Sequence, residues 1–120
     1  MTLTDPFVQS DTSVVDRAVV LERMGGDEEL MREIIGIFLE EYPSLLEGIH
    51  DAVRKQDGRA LECFAHNLKG SVSNFGAPLA TQAALELEQM GRKGDIQRAP
   101  AAAALLEREL SSVRSALQSL

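Results

Sequence analysis

Residues 61–75 read Leu61-Glu62-Cys63-Phe64-Ala65-His66-Asn67-Leu68-Lys69-Gly70-Ser71-Val72-Ser73-Asn74-Phe75, and the spacing of their apolar positions decides the fold. At about 100° per residue, Leu61, Phe64, Ala65, Leu68, Val72 and Phe75 fall within roughly 60° of one direction. That is the core-facing stripe of an amphipathic helix. His66 lies about 140° from the centre of the stripe and so faces solvent. Lys69 and Gly70, three and four positions on, are its surface neighbours. An imidazole with a cation beside it and a missing side chain above it is open to a large anionic partner. Gly70 inside a helix costs about 1 kcal/mol relative to alanine. Its place opposite the core points to room for a partner rather than to close helix packing.

The same periodicity extends in both directions. Upstream, Asp16 to Arg23 reads as a short helix stopped by Met24-Gly25-Gly26. Asp27 is an N-cap, with Glu28 and Glu29 at the positive end of the helix that follows. Leu30, Ile34, Ile35, Phe38, Leu39, Tyr42, Leu45, Leu46, Ile49 and Val53 give that helix its stripe. Pro43 removes one backbone donor inside it. Because the pattern continues beyond Pro43, a kinked helix is expected rather than two helices. Asp57-Gly58 closes this helix and caps the one carrying His66, which runs to about Asn74. Pro78 suits the first turn of a further helix lined by Leu79, Ala83, Leu87 and Met90. Gly91-Arg92-Lys93-Gly94-Asp95 ends it. A last helix, starting between Ile96 and Pro100, carries Leu106, Leu110, Val113, Leu117 and Leu120. Short connections make neighbouring helices antiparallel. The expected fold is all-α: an antiparallel up-down four-helix bundle with a short extra N-terminal helix. Residues 1–13 read as a flexible lead-in and 14–120 as one helical domain.

Composition narrows the function. The chain has 120 residues, 44% hydrophobic and 4% aromatic, enough for one helical core. A net charge of −7 argues against nucleic acid, whose phosphates demand a cationic footprint. A single cysteine, Cys63, excludes an internal disulfide and a cysteine-based zinc site. No apolar run approaches the ~18 residues of a membrane span, and the first residues lack the pattern of a signal peptide. A cytoplasmic monomer is expected. A metal-binding bundle fails on spacing, because no second histidine lies three or four positions from His66. His50 lacks the neighbours of His66 and reads as an ordinary surface residue.

A neutral imidazole is a nucleophile near pH 7. Attack on an activated phosphoryl group gives a labile N-phosphorylated ring suited to onward transfer. Lys69 supplies a point charge for phosphoryl oxygens, and Ser71 and Asn74 are placed to buttress the site by hydrogen bonding. No carboxylate cluster stands ready for Mg²⁺, and no glycine-rich phosphate loop is present, so autonomous phosphoryl chemistry is not expected.

His66-Asn67-Leu68-Lys69-Gly70-Ser71, followed by Asn74-Phe75-Gly76-Ala77, resembles the histidine-containing phosphotransfer (HPt) domain family of two-component phosphorelays. Leu21 to Asp27 and the Leu87-Glu88 to Gly91-Arg92 stretch match as well. The resemblance implies a phosphocarrier rather than an enzyme. His66 would accept a phosphoryl group from a receiver-domain aspartate and pass it to another, with Lys69 stabilising the group and Gly70 allowing close docking. Mg²⁺ is expected on the receiver alone, and no cofactor here. Arg92 matches a basic position near the phosphohistidine in some members. Glu88 stands near a position where some carry glutamine, and pairing of Glu88 with Arg92 at i+4 is expected. Asn67 replaces a frequent threonine. Docking would use Val15, Val19, Met24, Leu30 and Ile34. The implied partners are response-regulator receiver domains and a hybrid sensor histidine kinase. The competing function is a docking module whose His66 is never phosphorylated.

Overall fold

The computed structural model describes residues 14–120, and the expected lead-in of residues 1–13 lies outside them. Five helices and no strands make up the described residues: α1 (Arg17–Arg23), α2 (Glu28–Lys55), α3 (Gly58–Ser73), α4 (Pro78–Lys93) and α5 (Ala99–Gln118). Local chemistry sets their starts. The side chains of Asp16, Asp27 and Asp57 each accept a hydrogen bond from a backbone N–H in the first turn of α1, α2 and α3. Pro78 opens α4, where its missing N–H leaves nothing unsatisfied.

The stops are partly as expected. Gly25 and Gly26 follow α1 with φ of +70° and +79°, a left-handed conformation that glycine adopts without a Cβ clash. The end of α2 shares its closure between two residues. Gln56, at φ +56°, takes the left-handed cap, and the Asp57 N–H donates back to the Ala52 carbonyl at 2.9 Å while its side chain caps the next helix. Gly91 is not a stop. It lies buried within α4, whose cap is Gly94 at φ +75°. Helix α2 continues through the exposed Pro43, since its buried residues recur on both sides, from Met31 to Ala52.

Helices α2, α3, α4 and α5 each pack on the next, α5 packs back on α2, and α1 lies against α2. The enclosed core includes Met31, Ile49, Leu61, Leu68, Val72, Phe75, Leu87, Leu106 and Leu110, all at most 1% exposed. Phe38 joins α2 to the end of α3: its ring stacks on Tyr42 at 5.2 Å and meets Phe75 edge-on at 5.1 Å. Two apolar residues of the expected stripes are exposed, and several others, Phe64 among them, are only half-buried. Leu30 and Leu79, each in the first turn of its helix, are 37% and 55% exposed, and Met31 and Ala80 take the inward positions. The Phe64 ring is laid over Gly48 of α2.

The α3–α4 contact is the closest. A Cβ on Gly91 would lie 2.6 Å from both the Gly58 carbonyl oxygen and the Glu62 amide nitrogen, and one on Gly58 would lie 2.7 Å from the Gly91 carbonyl oxygen. The obstructing atoms are backbone, so they cannot swing aside. Gly91→Ala is therefore expected to force α3 and α4 apart and to lower stability by about 1–3 kcal/mol. Urea denaturation checks this, and a midpoint equal to wild type would contradict it.

Candidate functional site

Helix α3 carries His66 and Lys69 outward because its buried face is taken by Leu61, Ala65, Leu68 and Val72. The His66 side chain is 63% exposed. Opposite it, the close α3–α4 approach brings Glu88 within reach. This residue is 3% exposed, and it is the only charged residue buried among the described residues.

Four side chains meet there. His66 Nδ1 lies 3.1 Å from Glu88 Oε2, and Arg92 Nη2 donates to the same oxygen at 2.9 Å. Lys69 Nζ pairs with the other, buried oxygen, Glu88 Oε1, at 2.8 Å. Arg92 Nε also donates to Glu62 Oε2 at 2.9 Å, tying α4 back to α3. The expected Glu88–Arg92 pair is therefore present, but it is one arm of a larger network. Lys69 is not a merely solvated charge: it is the counter-ion of a buried carboxylate.

The Lys69 ammonium is the largest influence holding the Glu88 carboxyl below the ordinary value of 4.5; burial opposes it, and the His66 hydrogen bond adds to the lowering. Glu62 does most to raise the pKa of Arg92 above its usual value, so this guanidinium stays charged. An ionised carboxylate only accepts hydrogen bonds. The neutral His66 ring then carries its proton on Nδ1, donating to Glu88, and leaves the Nε2 lone pair free. The site thus presents one defined nucleophilic nitrogen to solvent.

Two surface features flank the exposed face of α3, and the His66 ring lines only the first. On the α4 side, a cavity of about 380 Å³ is lined by Arg59, Cys63, His66, Asn67, Glu88 and Arg92, among others. On the α2 side, a shallow groove of about 140 Å³ is lined by Ile34, Ile37, Phe38, Ser71, Asn74 and Phe75, with Glu41 at its edge. Gly70 stands between the flanks, and a Cβ there would meet nothing within 4 Å. Helix packing does not explain this glycine. Ser71 and Asn74 border the groove, but their side chains form no hydrogen bond among the described residues; Ser73 Oγ instead donates to the Gly70 carbonyl at 3.0 Å. Val15, Val19, Met24 and Ile34 are half-buried and Leu30 is exposed. Val15, Met24 and Ile34 pack on the core edge.

Two features of the site escaped sequence reading. Ile37 is 45% exposed beside the groove, and its place three residues after Ile34, off the core stripe, was the available signal. Glu62 as a partner of Arg92 had no sequence signal, since the two residues lie on different helices. His50, expected as ordinary surface, joins α2 to α5 through Nε2 and Glu107 Oε1 at 3.0 Å. Cys63 is a free, exposed thiol. Among the described residues, no three His, Cys, Asp or Glu side chains are grouped to hold a metal ion, and no helix is long and apolar enough to cross a membrane.

The site thus sets one exposed histidine beside a buried carboxylate, a lysine and a glycine on a helical fold. The Hpt domain family matches residues 33–116, and the chain belongs to that family. Hpt domains are phosphocarrier modules of phosphorelays rather than catalysts. The crystal structure of histidine-containing phosphotransfer protein B (HptB) from Pseudomonas aeruginosa PAO1 is similar. Its identity is 32% and its TM-score 0.81, over 88% of this chain and 91% of that one. The HPT domain of an Hpt sensor hybrid histidine kinase from Shewanella shares the fold, with TM-score 0.78 and 20% identity over 89% of this chain and 92% of that one. No curated protein sequence matches the chain.

The network gives a signed pH dependence. The Glu88 pKa is lowered in the folded state, so its stabilising contribution is complete above the ordinary carboxyl value of 4.5 and is lost as pH falls through the lowered folded value. Glu88→Gln should be less stable than wild type at neutral pH, with the gap narrowing in acid. Equal pH slopes in the two proteins would contradict this. The same variant should shift His66 from nearly all Nδ1–H toward a mixture of tautomers, read from imidazole ¹⁵N shifts in mildly alkaline buffer.

Proposed function

We propose that His66 accepts a phosphoryl group from an aspartyl phosphate on a receiver domain and passes it to an aspartate on another. The observation that carries this reading is the pairing of an exposed Nε2 with an Nδ1–H held by buried Glu88. The Nε2 lone pair attacks phosphorus. The bond from phosphorus to the aspartyl oxygen breaks, and its electron pair restores the aspartate carboxylate. The new ring is cationic, and the Nδ1 proton remains hydrogen-bonded to Glu88, whose charge offsets it. Onward transfer runs the same steps in reverse against a second aspartate.

Lys69 stabilises the phosphoryl oxygens as a point charge, turning from Glu88 toward the group when it arrives. Arg92 supports the same end of the site through its contacts with Glu62 and Glu88. Gly70 gives the partner access, and the open space over it supports that role. Asn67 lines the cavity beside the ring, and Ser71 and Asn74 border the groove where the receiver docks. Leu30, Ile34 and Ile37, with Val15, Val19 and Met24 of the α1 region, form the apolar docking platform. Short turns and the closed cycle of helix contacts support an up-down antiparallel arrangement of α2 to α5 with α1 appended. The carrier works as a cytoplasmic monomer, with Mg²⁺ supplied by the receiver. Response-regulator receivers are its partners, and a hybrid sensor histidine kinase is a further source of phosphoryl groups.

Incubation with a phosphorylated receiver should leave acid-labile, alkali-stable label on wild type and none on His66→Gln. The variant should keep wild-type helicity, because the ring is exposed. Absence of label from a broad panel of receivers would favour an unphosphorylated docking module instead. Lys69→Ala should slow transfer about ten- to a hundredfold, as expected for losing a charge-assisted contact. It should also lose stability, because Glu88 is left with a weaker counter-charge. Unchanged transfer kinetics per folded molecule would remove Lys69 from the mechanism.

A further inference from the structure

We propose that Arg59 is the docking cation of the His66 site, meeting the phosphoryl oxygens of the aspartyl phosphate that a receiver presents. The inference rests on the phosphoacceptor reading of His66.

Arg59 stands in the first turn of α3, seven positions before His66. Seven positions return to within about 20° of the same helix face, roughly 10.5 Å along the axis. Both side chains line the same cavity of about 380 Å³, with Cys63 between them on that face. The other cations near the ring are engaged: Lys69 with Glu88, and Arg92 with Glu62 and Glu88. Two positive and two negative charges cancel in that network. Arg59 has no carboxylate within ion-pair distance among the described residues and is exposed. The uncompensated positive charge at the mouth of the cavity is therefore its own.

That charge matters because the chain carries −7 overall. A phosphorylated partner meets a repulsive field at long range, and a local cation beside the nucleophile offsets it and sets orientation. The task needs a positive charge within reach of the phosphoryl oxygens rather than a particular donor geometry. Arg59 takes no part in making or breaking bonds. Phosphorus leaves the aspartyl oxygen for His66 Nε2, and Arg59 is unchanged.

The test measures the initial rate of label transfer from a phosphorylated receiver domain as receiver concentration rises, at low and near-physiological salt. Wild type, Arg59→Ala and Arg59→Lys are compared, with matching circular dichroism as the control on folding. Arg59→Ala should raise the half-saturating receiver concentration about two- to fivefold, the scale of one exposed ion pair. Its saturating rate should stay at the wild-type value and its salt dependence should weaken. Arg59→Lys should retain most of the wild-type behaviour, and phosphorylated His66 on the isolated protein should decay equally in all three. An unchanged half-saturating concentration and salt slope in Arg59→Ala, or an equal loss in Arg59→Lys, would overturn the role of Arg59 while leaving His66 as phosphoacceptor. A wild type that takes no label would overturn both.

Discussion

The backbones of α3 and α4 touch where Gly58 faces Gly91, and the chemistry of the molecule depends on that contact. A glutamate is short. Glu88 reaches His66 and Lys69 on the neighbouring helix only because no Cβ separates the two backbones one turn away. Once there, Glu88 is almost fully removed from water, and a carboxylate in that position is tolerable only with cations and donors around it. Lys69, Arg92 and the His66 ring supply them. The carboxylate in turn decides which ring nitrogen carries the proton. A packing constraint between two glycines thus determines a tautomer.

The exposed face of α3 has two unlike flanks. Toward α2 the surface is apolar, built on Ile34 and Ile37 over the Phe38–Phe75 contact. Toward α4 it is charged, built on the Glu62–Arg92–Glu88–Lys69 network with Arg59 at its edge. An apolar flank supplies burial to a docked protein, and a charged flank supplies orientation and rate. The bare backbone at Gly70 lies between them, so a partner can settle on the first while its reactive group reaches the second.

Much of this was legible in one dimension. Helical periodicity places His66 outside and Leu61, Ala65, Leu68 and Val72 inside, because side-chain direction along a helix follows from geometry alone. The aspartate caps were readable for the same local reason. Errors arose where several residues compete for one role. Leu30 and Met31 are adjacent apolar residues, as are Leu79 and Ala80, and the rotation of each helix against its neighbours chose the second of each pair for the core. Gly91 resembled a helix stop because glycine serves both as terminator and as contact point. Gln56 took a left-handed cap that a glycine would fill at lower cost.

The sequence by itself determined the helices, the aspartate caps at their starts and the outward direction of His66, Lys69 and Gly70, since each depends on residues within about one or two turns. Tertiary structure decided what those side chains meet. Glu88 stands 22 positions from His66 and Glu62 stands 30 from Arg92, and neither spacing carries any period of a helix. Only the approach of α3 to α4 makes them neighbours. The defined nucleophile, the buried charge that orients it and the Arg59 cation, which has no ion-pair partner among the described residues, are therefore properties of the packed molecule, because electrostatic contacts depend on distance in space and not on distance along the chain.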